Sequence, residues 1–259
     1  MPDTYEHIKF TLEDRVARLT FARPPVNILN IAMMREINDA LGECAHQRDL
    51  VAIVFDAAPD CRAFSAGVAV EEHVEETIFQ MLDSFHSIFR NLEQIARPTL
   101  AVVDGAALGG GCELVAACDI VIASERARFG QPEIKLGVFP PVAAILLPRV
   151  IGEKKARELV LTGDLIEAPE ALRLGLVNYV LPTKQLETKV AELLAKFRSL
   201  SAVALALTRE SLDLASGRSL DGVLKQVESL YLNDLMKTID ATEGINAFIQ
   251  KRKPEWRNR

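Results

Sequence analysis

Two glutamates that follow glycine-containing turns are the side chains best suited to chemistry. Glu113 ends the run Gly109-Gly110-Gly111-Cys112-Glu113, and Glu133 ends Phe129-Gly130-Gln131-Pro132-Glu133. Paired carboxyl groups can divide proton transfer, one as base and one as acid, when their surroundings separate their pKa values. The two turns therefore predict an acid–base pair. The alternative at this point is that Glu113 is merely a solvated residue beyond a tight turn.

The three consecutive glycines need a reason, because glycine loses more backbone freedom on folding than any other residue. They lead into an apolar, helix-like run, and the first N–H groups of a helix have no partner within it. Such an amide can stabilise an oxyanion where negative charge develops. The loop Ala66-Gly67-Val68 could supply a second N–H. Two such donors are the minimum for an oxyanion hole.

Motifs of several other chemistries are missing from the sequence. No GxSxG is present, and the glycine run fails GxGxxG because Leu114 stands where the third glycine would fall. A serine hydrolase, a nicotinamide enzyme and an ATP-binding loop are therefore not indicated. The four histidines and four cysteines show no metal-ligand spacing, so we expect no metal and no disulfide framework. His73 has slightly more weight than the other histidines, because it follows the small-residue loop.

Composition narrows the class of protein. The 259 residues are 49% apolar and 25% charged, as in ordinary globular proteins. A formal charge of −6 argues against a nucleic-acid partner. We see neither an N-terminal targeting pattern nor an apolar run of membrane-spanning length, so we expect a cytoplasmic protein without a membrane partner.

The elements that must position these residues follow a βα pattern. We predict an opening hairpin at residues 5–12 and 16–21, and a helix capped by Asn30. Strand–loop–helix units beginning at residues 51, 99 and 120 indicate a mostly parallel sheet with helices outside. Beyond residue 142 we predict helices, interrupted by a short apolar run at 177–181. A domain boundary, if present, falls near residue 200.

Five motifs together resemble the crotonase, or enoyl-CoA hydratase/isomerase, superfamily. The motifs are Arg23-Pro24-Pro25-Val26-Asn27, Ala63-Phe64-Ser65-Ala66-Gly67, the stretch 105–114, Phe129-Gly130-Gln131-Pro132-Glu133, and the ending that runs from Glu243-Gly244-Ile245 through Phe248 to Lys251-Arg252-Lys253. The resemblance implies an α/β fold, a spiral of ββα units over residues 1–200. It also implies a C-terminal helical trimerisation region over 201–259, and a homotrimer or a homohexamer built from two trimers. The substrate would be an acyl-CoA thioester, with no cofactor beyond the coenzyme A of the substrate itself.

The resemblance also implies roles for individual residues. The amides of Val68 and Gly110 match the two oxyanion-hole donors, and Glu113 and Glu133 match two glutamates that handle a water. Isomerases of the family commonly keep only the acid that matches Glu133, so the presence of both favours hydration. The positions implied to contact substrate or coenzyme A are Val26, Ala63, Ala66, Gly67, Phe139, Pro140, Phe248 and Lys251. For the basic end that contains Lys251, a charged helix terminus is the alternative.

Two departures from the family pattern bear on the substrate. The loop Val68-Ala69-Val70-Glu71-Glu72-His73 lacks the usual aspartate, and residues 137–144 replace a Pro-Gly-x-Gly-Gly run. Both resemble the cyclohexa-1,5-diene-1-carbonyl-CoA hydratases of anaerobic aromatic degradation. An apolar wall at Phe139 and Pro140 would suit a flat ring. The alternatives are a general short-chain enoyl-CoA hydratase, an isomerase, or a non-catalytic CoA-binding or RNA-binding relative.

Overall fold

The structure, a computed structural model, describes residues 5–259. Within this range the chain forms two β-sheets flanked by helices. The strands are β1 (Ile8–Glu13), β2 (Val16–Phe21), β3 (Ala52–Ala57), β4 (Ala63–Ser65), β5 (Thr99–Val103), β6 (Ala106–Leu108), β7 (Ile120–Ser124), β8 (Arg128–Gly130), β9 (Leu165–Glu167) and β10 (Tyr179–Leu181). The helices are α1 (Ile31–Ala45), α2 (Ile78–Ile95), α3 (Gly110–Ala117), α4 (Pro141–Ile151), α5 (Glu153–Thr162), α6 (Ala168–Leu174), α7 (Leu186–Arg198), α8 (Ala202–Ala215), α9 (Leu220–Asn233) and α10 (Ile239–Ile249).

The larger sheet has the strand order β1-β2-β3-β5-β7-β10. β1 and β2 form the predicted antiparallel hairpin, and all further pairings in this sheet are parallel. β5 is buried along its whole length and β3 along almost all of it. Both are apolar nearly throughout because helices and the second sheet cover a parallel sheet on both faces. The predicted mostly parallel sheet is confirmed.

The second sheet, β4-β6-β8-β9, differs from the sequence prediction. The sequence pattern predicts turns before Glu113 and Glu133 and a loop at residues 66–68, and it predicts none of the three-residue strands β4, β6 and β8 that precede these segments. These strands are too short for an alternating pattern to be visible. They are strands because each pairs with a neighbour distant in sequence: β4 and β8 both run parallel to β6. Such pairing depends on context more than on local propensity.

The chain alternates between the two sheets, as the predicted spiral of ββα units requires. β3 and β4 precede α2, and β5 and β6 precede α3, so each turn adds one strand to each sheet and then a helix. Parallel neighbours end at the same edge of a sheet. The segments that follow β4, β6 and β8 therefore meet at one edge of the smaller sheet.

Helices α1 and α2 pack against each other, and their ends have identifiable caps. The side chain of Asn30 accepts a hydrogen bond from the Met33 amide at 3.0 Å, which confirms the predicted N-cap. Glu72 accepts from the Ile31 amide at 2.8 Å, so this glutamate holds the start of α1 rather than forming part of a solvated face. α1 ends at Ala45, whereas the sequence pattern predicts a helix to about Arg48. α2 buries Phe85 and Ile88 among other apolar residues spaced three or four apart.

Helices make up the chain beyond β10. α7 buries Leu186, Val190 and Leu194 against the larger sheet. Arg209 of α8 forms an ion pair with Asp119, which precedes β7; the guanidinium lies 3.0 Å from the Asp119 carboxylate. Over residues 5–259, no helix combines the length and apolar character needed to cross a membrane.

Candidate active site

The loop after β4 pairs with Leu29 and leaves the backbone amide of Val68 free to face the other side. Leu29 donates to the Gly67 carbonyl at 2.9 Å, and Ala69 donates to the Leu29 carbonyl at 3.0 Å. In such a parallel bridge, the residue between the two bonds points its own N–H to the opposite side. The Val68 amide therefore faces away from Leu29. Gly67 is close to Gly110 on that other side, since a Cβ added at Gly67 would lie 3.8 Å from the Gly110 nitrogen.

A buried polar cluster holds this loop in place. The Ser65 hydroxyl donates to the Asn27 carbonyl at 2.8 Å and accepts from the Gly67 amide at 3.1 Å. The amide side chain of Asn27 donates to the Ala63 carbonyl at 3.0 Å. Asn27 and Ser65 are both fully buried. These bonds fix the backbone that leads to the Val68 amide.

Each of the three glycines has a neighbour that leaves no room for a side chain. A Cβ at Gly109 would lie 2.5 Å from Glu133 Oε1, and one at Gly111 would lie 2.7 Å from the Ser65 carbonyl oxygen. A Cβ at Gly110 would lie 2.7 Å from Val68 Cγ2. Gly109 also has a φ of 51°. Gly110 is the first residue of α3, so its N–H has no acceptor within the helix.

Glu113 lies one turn into α3 and is only 2% exposed, so the alternative of a solvated side chain is wrong. Its Oε1 accepts from the Ala143 amide at 2.7 Å, in the first turn of α4. Pro141 begins that helix without an N–H, so the carboxylate meets the first free amides of α4. Burial, together with the neighbouring charge of Glu133, raises the pKa of Glu113 to about 7, while the amide bonds act to lower it.

Glu133 follows β8 and faces the same cleft. Burial raises its pKa to about 6. Gln131 is fully buried, and with its amide oriented to donate, the nitrogen lies 3.2 Å from both oxygens of the Glu133 carboxylate. The structure thus gives Gln131 a positioning contact that sequence reasoning missed. The sequence signal for this contact was the position of Gln131 two residues before Glu133.

Eight of the predicted site residues line one cleft. They are Ala66, Gly67, Val68, Gly110, Glu113, Glu133, Phe139 and Pro140. In the described chain Val26 and Ala63 are not among the residues that line this cleft. The Val26 carbonyl accepts from the Ala66 amide at 2.9 Å, and the Ala63 carbonyl accepts from the Asn27 side chain at 3.0 Å. Phe248, at the end of α10, is 86% exposed, and Lys251 follows it outside the cleft wall. Ligand contacts of these four residues stay predictions.

The cleft also has a wall that sequence reasoning missed. Met81, Leu82 and Phe85 of α2 line it. A buried apolar residue on an amphipathic helix has the same sequence pattern whether it packs in the core or against a ligand, so no local signal separated them. His73 also lines the cleft, and its Nδ1 lies 2.9 Å from the Ala69 carbonyl, which makes that nitrogen the donor.

The raised pKa of Glu113 predicts a pH-dependent stability difference for Glu113→Gln. A carboxyl whose pKa rises from 4.5 to about 7 on folding makes unfolding easier as pH rises across that interval. The neutral variant should therefore be more stable than the wild type by about 3 kcal/mol at pH 8, and by almost nothing at pH 4.5. Denaturant unfolding at both pH values measures this. Glu125→Gln, at an exposed position, is the control and should show no such trend; an equal response of both variants would contradict the burial effect.

No cluster of His, Cys, Asp and Glu within residues 5–259 is arranged to hold a metal ion. The arrangement instead places two acids and two backbone amides around one cleft. It can polarise a carbonyl and move protons beside it.

Comparisons with known proteins identify the family of the chain. A sequence model of the enoyl-CoA hydratase/isomerase family matches residues 11–259. A probable enoyl-CoA hydratase, echA8, of Mycobacterium bovis is 38% identical over 259 residues, which cover 99% of this chain and all of the relative. Cyclohexa-1,5-dienecarbonyl-CoA hydratase of Thauera aromatica is 38% identical over 246 residues, or 93% of each chain. The crystal structure of an enoyl-CoA hydratase from Bacillus anthracis has a TM-score of 0.91 at 30% identity and covers 98% of this chain and all of its own. The chain therefore belongs to the enoyl-CoA hydratase/isomerase family.

Proposed function

We propose that the protein is a hydro-lyase that adds water to the double bond of an enoyl-CoA thioester. The observation that carries this is the cleft that holds two carboxyl groups with raised pKa values beside the amides of Val68 and Gly110. The two amides donate to the thioester oxygen and stabilise the enolate that forms. Glu113 and Glu133 hold the water between them. Its oxygen bonds to the β-carbon, one carboxylate takes its proton, and the α-carbon receives a proton from the acid pair.

Retention of both acids supports hydration over double-bond migration. An isomerase moves one proton between two carbons, and a single carboxyl group between them is enough. Addition of water needs a group that activates the water and a proton for the α-carbon. Glu113 and Glu133 can meet both needs because their pKa values are raised to about 7 and about 6, near neutral pH.

For the substrate we favour cyclohexa-1,5-diene-1-carbonyl-CoA. The cleft wall beside the acids contains Val138, Phe139 and Pro140, followed by Pro141 at the start of α4. Two consecutive prolines restrict this backbone, and a rigid apolar ring gains most from a preformed apolar wall. The named activity of the Thauera aromatica relative supports the same substrate. Short-chain enoyl-CoA is the second candidate, because a short-chain-enoyl-CoA hydratase of Clostridium acetobutylicum is 36% identical over 250 residues.

Parallel kinetics with crotonyl-CoA and the cyclic dienoyl-CoA test this choice. We expect kcat/KM to be at least about 10-fold higher for the cyclic thioester, roughly the discrimination that one or two well-fitted apolar groups supply. A preference for crotonyl-CoA would select the short-chain alternative. Tight binding of acyl-CoA without turnover of either compound would select a non-catalytic CoA-binding protein, and binding of RNA alone would select the RNA-binding class.

We further propose that residues 201–259 form an oligomerisation region and that Phe248 and Lys251 meet the ligand. Large apolar side chains of the last three helices are exposed in the single chain, among them Leu212, Leu220, Tyr231, Leu232, Phe248 and Ile249. Patches of this kind mark protein interfaces or ligand sites. Light scattering on the purified protein should give a trimer or a hexamer, and a monomer at micromolar concentration would contradict the proposal.

A further inference from the structure

A second cavity lies directly behind the catalytic cleft. It has a volume of about 500 Å³, and we call it the rear cavity. Its wall includes Phe89, Leu92, Ala117, Val142, Ile145 and Leu146. These apolar side chains lie on α2, α3 and α4, and charged residues that include Asp119 and Arg209 complete the wall. The apolar part of the rear cavity offers surface that an acyl tail could cover.

The same three helices line both spaces. α2 contributes Phe85 to the cleft and Phe89 to the rear cavity, and α3 contributes Glu113 to the cleft and Ala117 to the rear cavity. α4 likewise places Pro141 on the cleft side, while Ile145 is on the rear side. Residues four apart on a helix are separated by about one turn, or 5.4 Å along the axis. The two spaces are therefore neighbours along all three helices.

The rings of Phe85 and Phe89 lie between the two spaces. Phe85 is 2% exposed, and its ring packs edge-to-face on the ring of Phe89, with centroids 5.0 Å apart at 82°. At its other end the ring reaches the oxyanion region, since a Cβ at Gly110 would lie 2.9 Å from Phe85 Cζ. The Phe85 ring thus faces the cleft, and the Phe89 ring packed edge-to-face against it faces the rear cavity.

We infer that Phe85 sets the length limit of the acyl group by closing the cleft from the rear cavity. The inference rests on the proposed function and identifies which enoyl-CoA thioesters that site accepts. With Phe85 in place, a ring or a short chain ends against an aromatic wall. Removal of the Phe85 ring would leave Phe89 without the ring it packs on, so that Phe89 can turn aside and a longer chain can continue into the rear cavity. Each methylene buried there would strengthen binding about 4-fold.

The experiment compares kcat/KM for linear 2-enoyl-CoA thioesters, from crotonyl-CoA to the twelve-carbon compound, in wild type, Phe85→Ala and Ile88→Ala. Ile88 is buried in the same helix and is a control for loss of core packing. Wild type should lose activity steeply as the chain lengthens. Phe85→Ala should raise the ratio of twelve-carbon to four-carbon kcat/KM by at least about 10-fold, equivalent to two or more buried methylenes. Ile88→Ala should leave this ratio unchanged.

Three results would overturn the inference. They are a wild type that accepts the twelve-carbon compound as readily as crotonyl-CoA, an unchanged ratio in Phe85→Ala, and an equal shift in Ile88→Ala. If Phe85→Ala does not fold, Phe85→Leu removes part of the ring's volume with a smaller loss of packing, and the wild-type chain-length series still stands as a test. Failure of the proposed function would look different, because wild type would then hydrate none of the thioesters at any length.

Discussion

Glu113→Gln and Glu133→Gln should each lower kcat by about 10²- to 10⁴-fold, the range expected for loss of a positioned acid or base. Glutamine keeps the shape and can still accept the Ala143 amide bond at position 113, but it cannot exchange a proton. Acyl-CoA affinity should change little, because the two oxyanion amides remain. Steady-state kinetics, with substrate-analogue binding measured by calorimetry, separate the two effects.

Glu125→Gln is the control for these variants, since Glu125 is exposed after β7. Its kcat should match wild type. Near-normal turnover by either active-site variant would remove that glutamate from the mechanism. A loss of binding equal to the loss of kcat would show that the side chain holds the ligand instead of moving a proton.

Gly110→Ala should lower kcat by about 10²- to 10³-fold, the effect of losing an oxyanion-hole donor. The loss follows from a steric clash, because a Cβ added at Gly110 would lie 2.7 Å from Val68 Cγ2 and 2.9 Å from Phe85 Cζ. Phe85 cannot retreat readily, since Phe89 packs against its ring. The collision therefore pushes apart the two segments that carry the donor amides. Kinetics with the preferred thioester measure the loss.

Gly42→Ala is the matched control for that change. Gly42 lies within α1 with no heavy atom within 4 Å of an added Cβ, so alanine there should leave kcat unchanged and stabilise the helix by about 0.5–1 kcal/mol. Full activity in Gly110→Ala, with a crystal structure that shows both amides unmoved, would contradict the assignment of this residue to the oxyanion hole.

Local structure could be predicted from the sequence where a residue type has few structural roles. Consecutive glycines are poor in helices and strands, so the run at 109–111 indicated close backbone contacts, and the structure shows a different tight neighbour for each glycine. Asn30 before an apolar helical stripe likewise predicted the cap that the structure contains. Buried parallel strands were visible because they are apolar on both faces.

Prediction failed where the cause of a structure is distant in sequence. β4, β6 and β8 have three residues each, and they are strands only because they pair with one another. Glu72 looks solvated until the fold brings it to the start of α1. Phe85 looks like any core residue of an amphipathic helix until the cleft on one side and the rear cavity on the other are known. A local pattern does not contain such information.

Isotope incorporation tests directly whether the acid pair adds water to the substrate. Wild type would be incubated with the cyclic dienoyl-CoA, and separately with crotonyl-CoA, in water enriched in ¹⁸O, and the products analysed by mass spectrometry. We expect wild type to form a hydroxyacyl-CoA with one ¹⁸O in its new hydroxyl group, and this product should be barely detectable with Glu113→Gln or Glu133→Gln. A product with a migrated double bond and no ¹⁸O, or unchanged label incorporation in the two variants, would contradict this expectation.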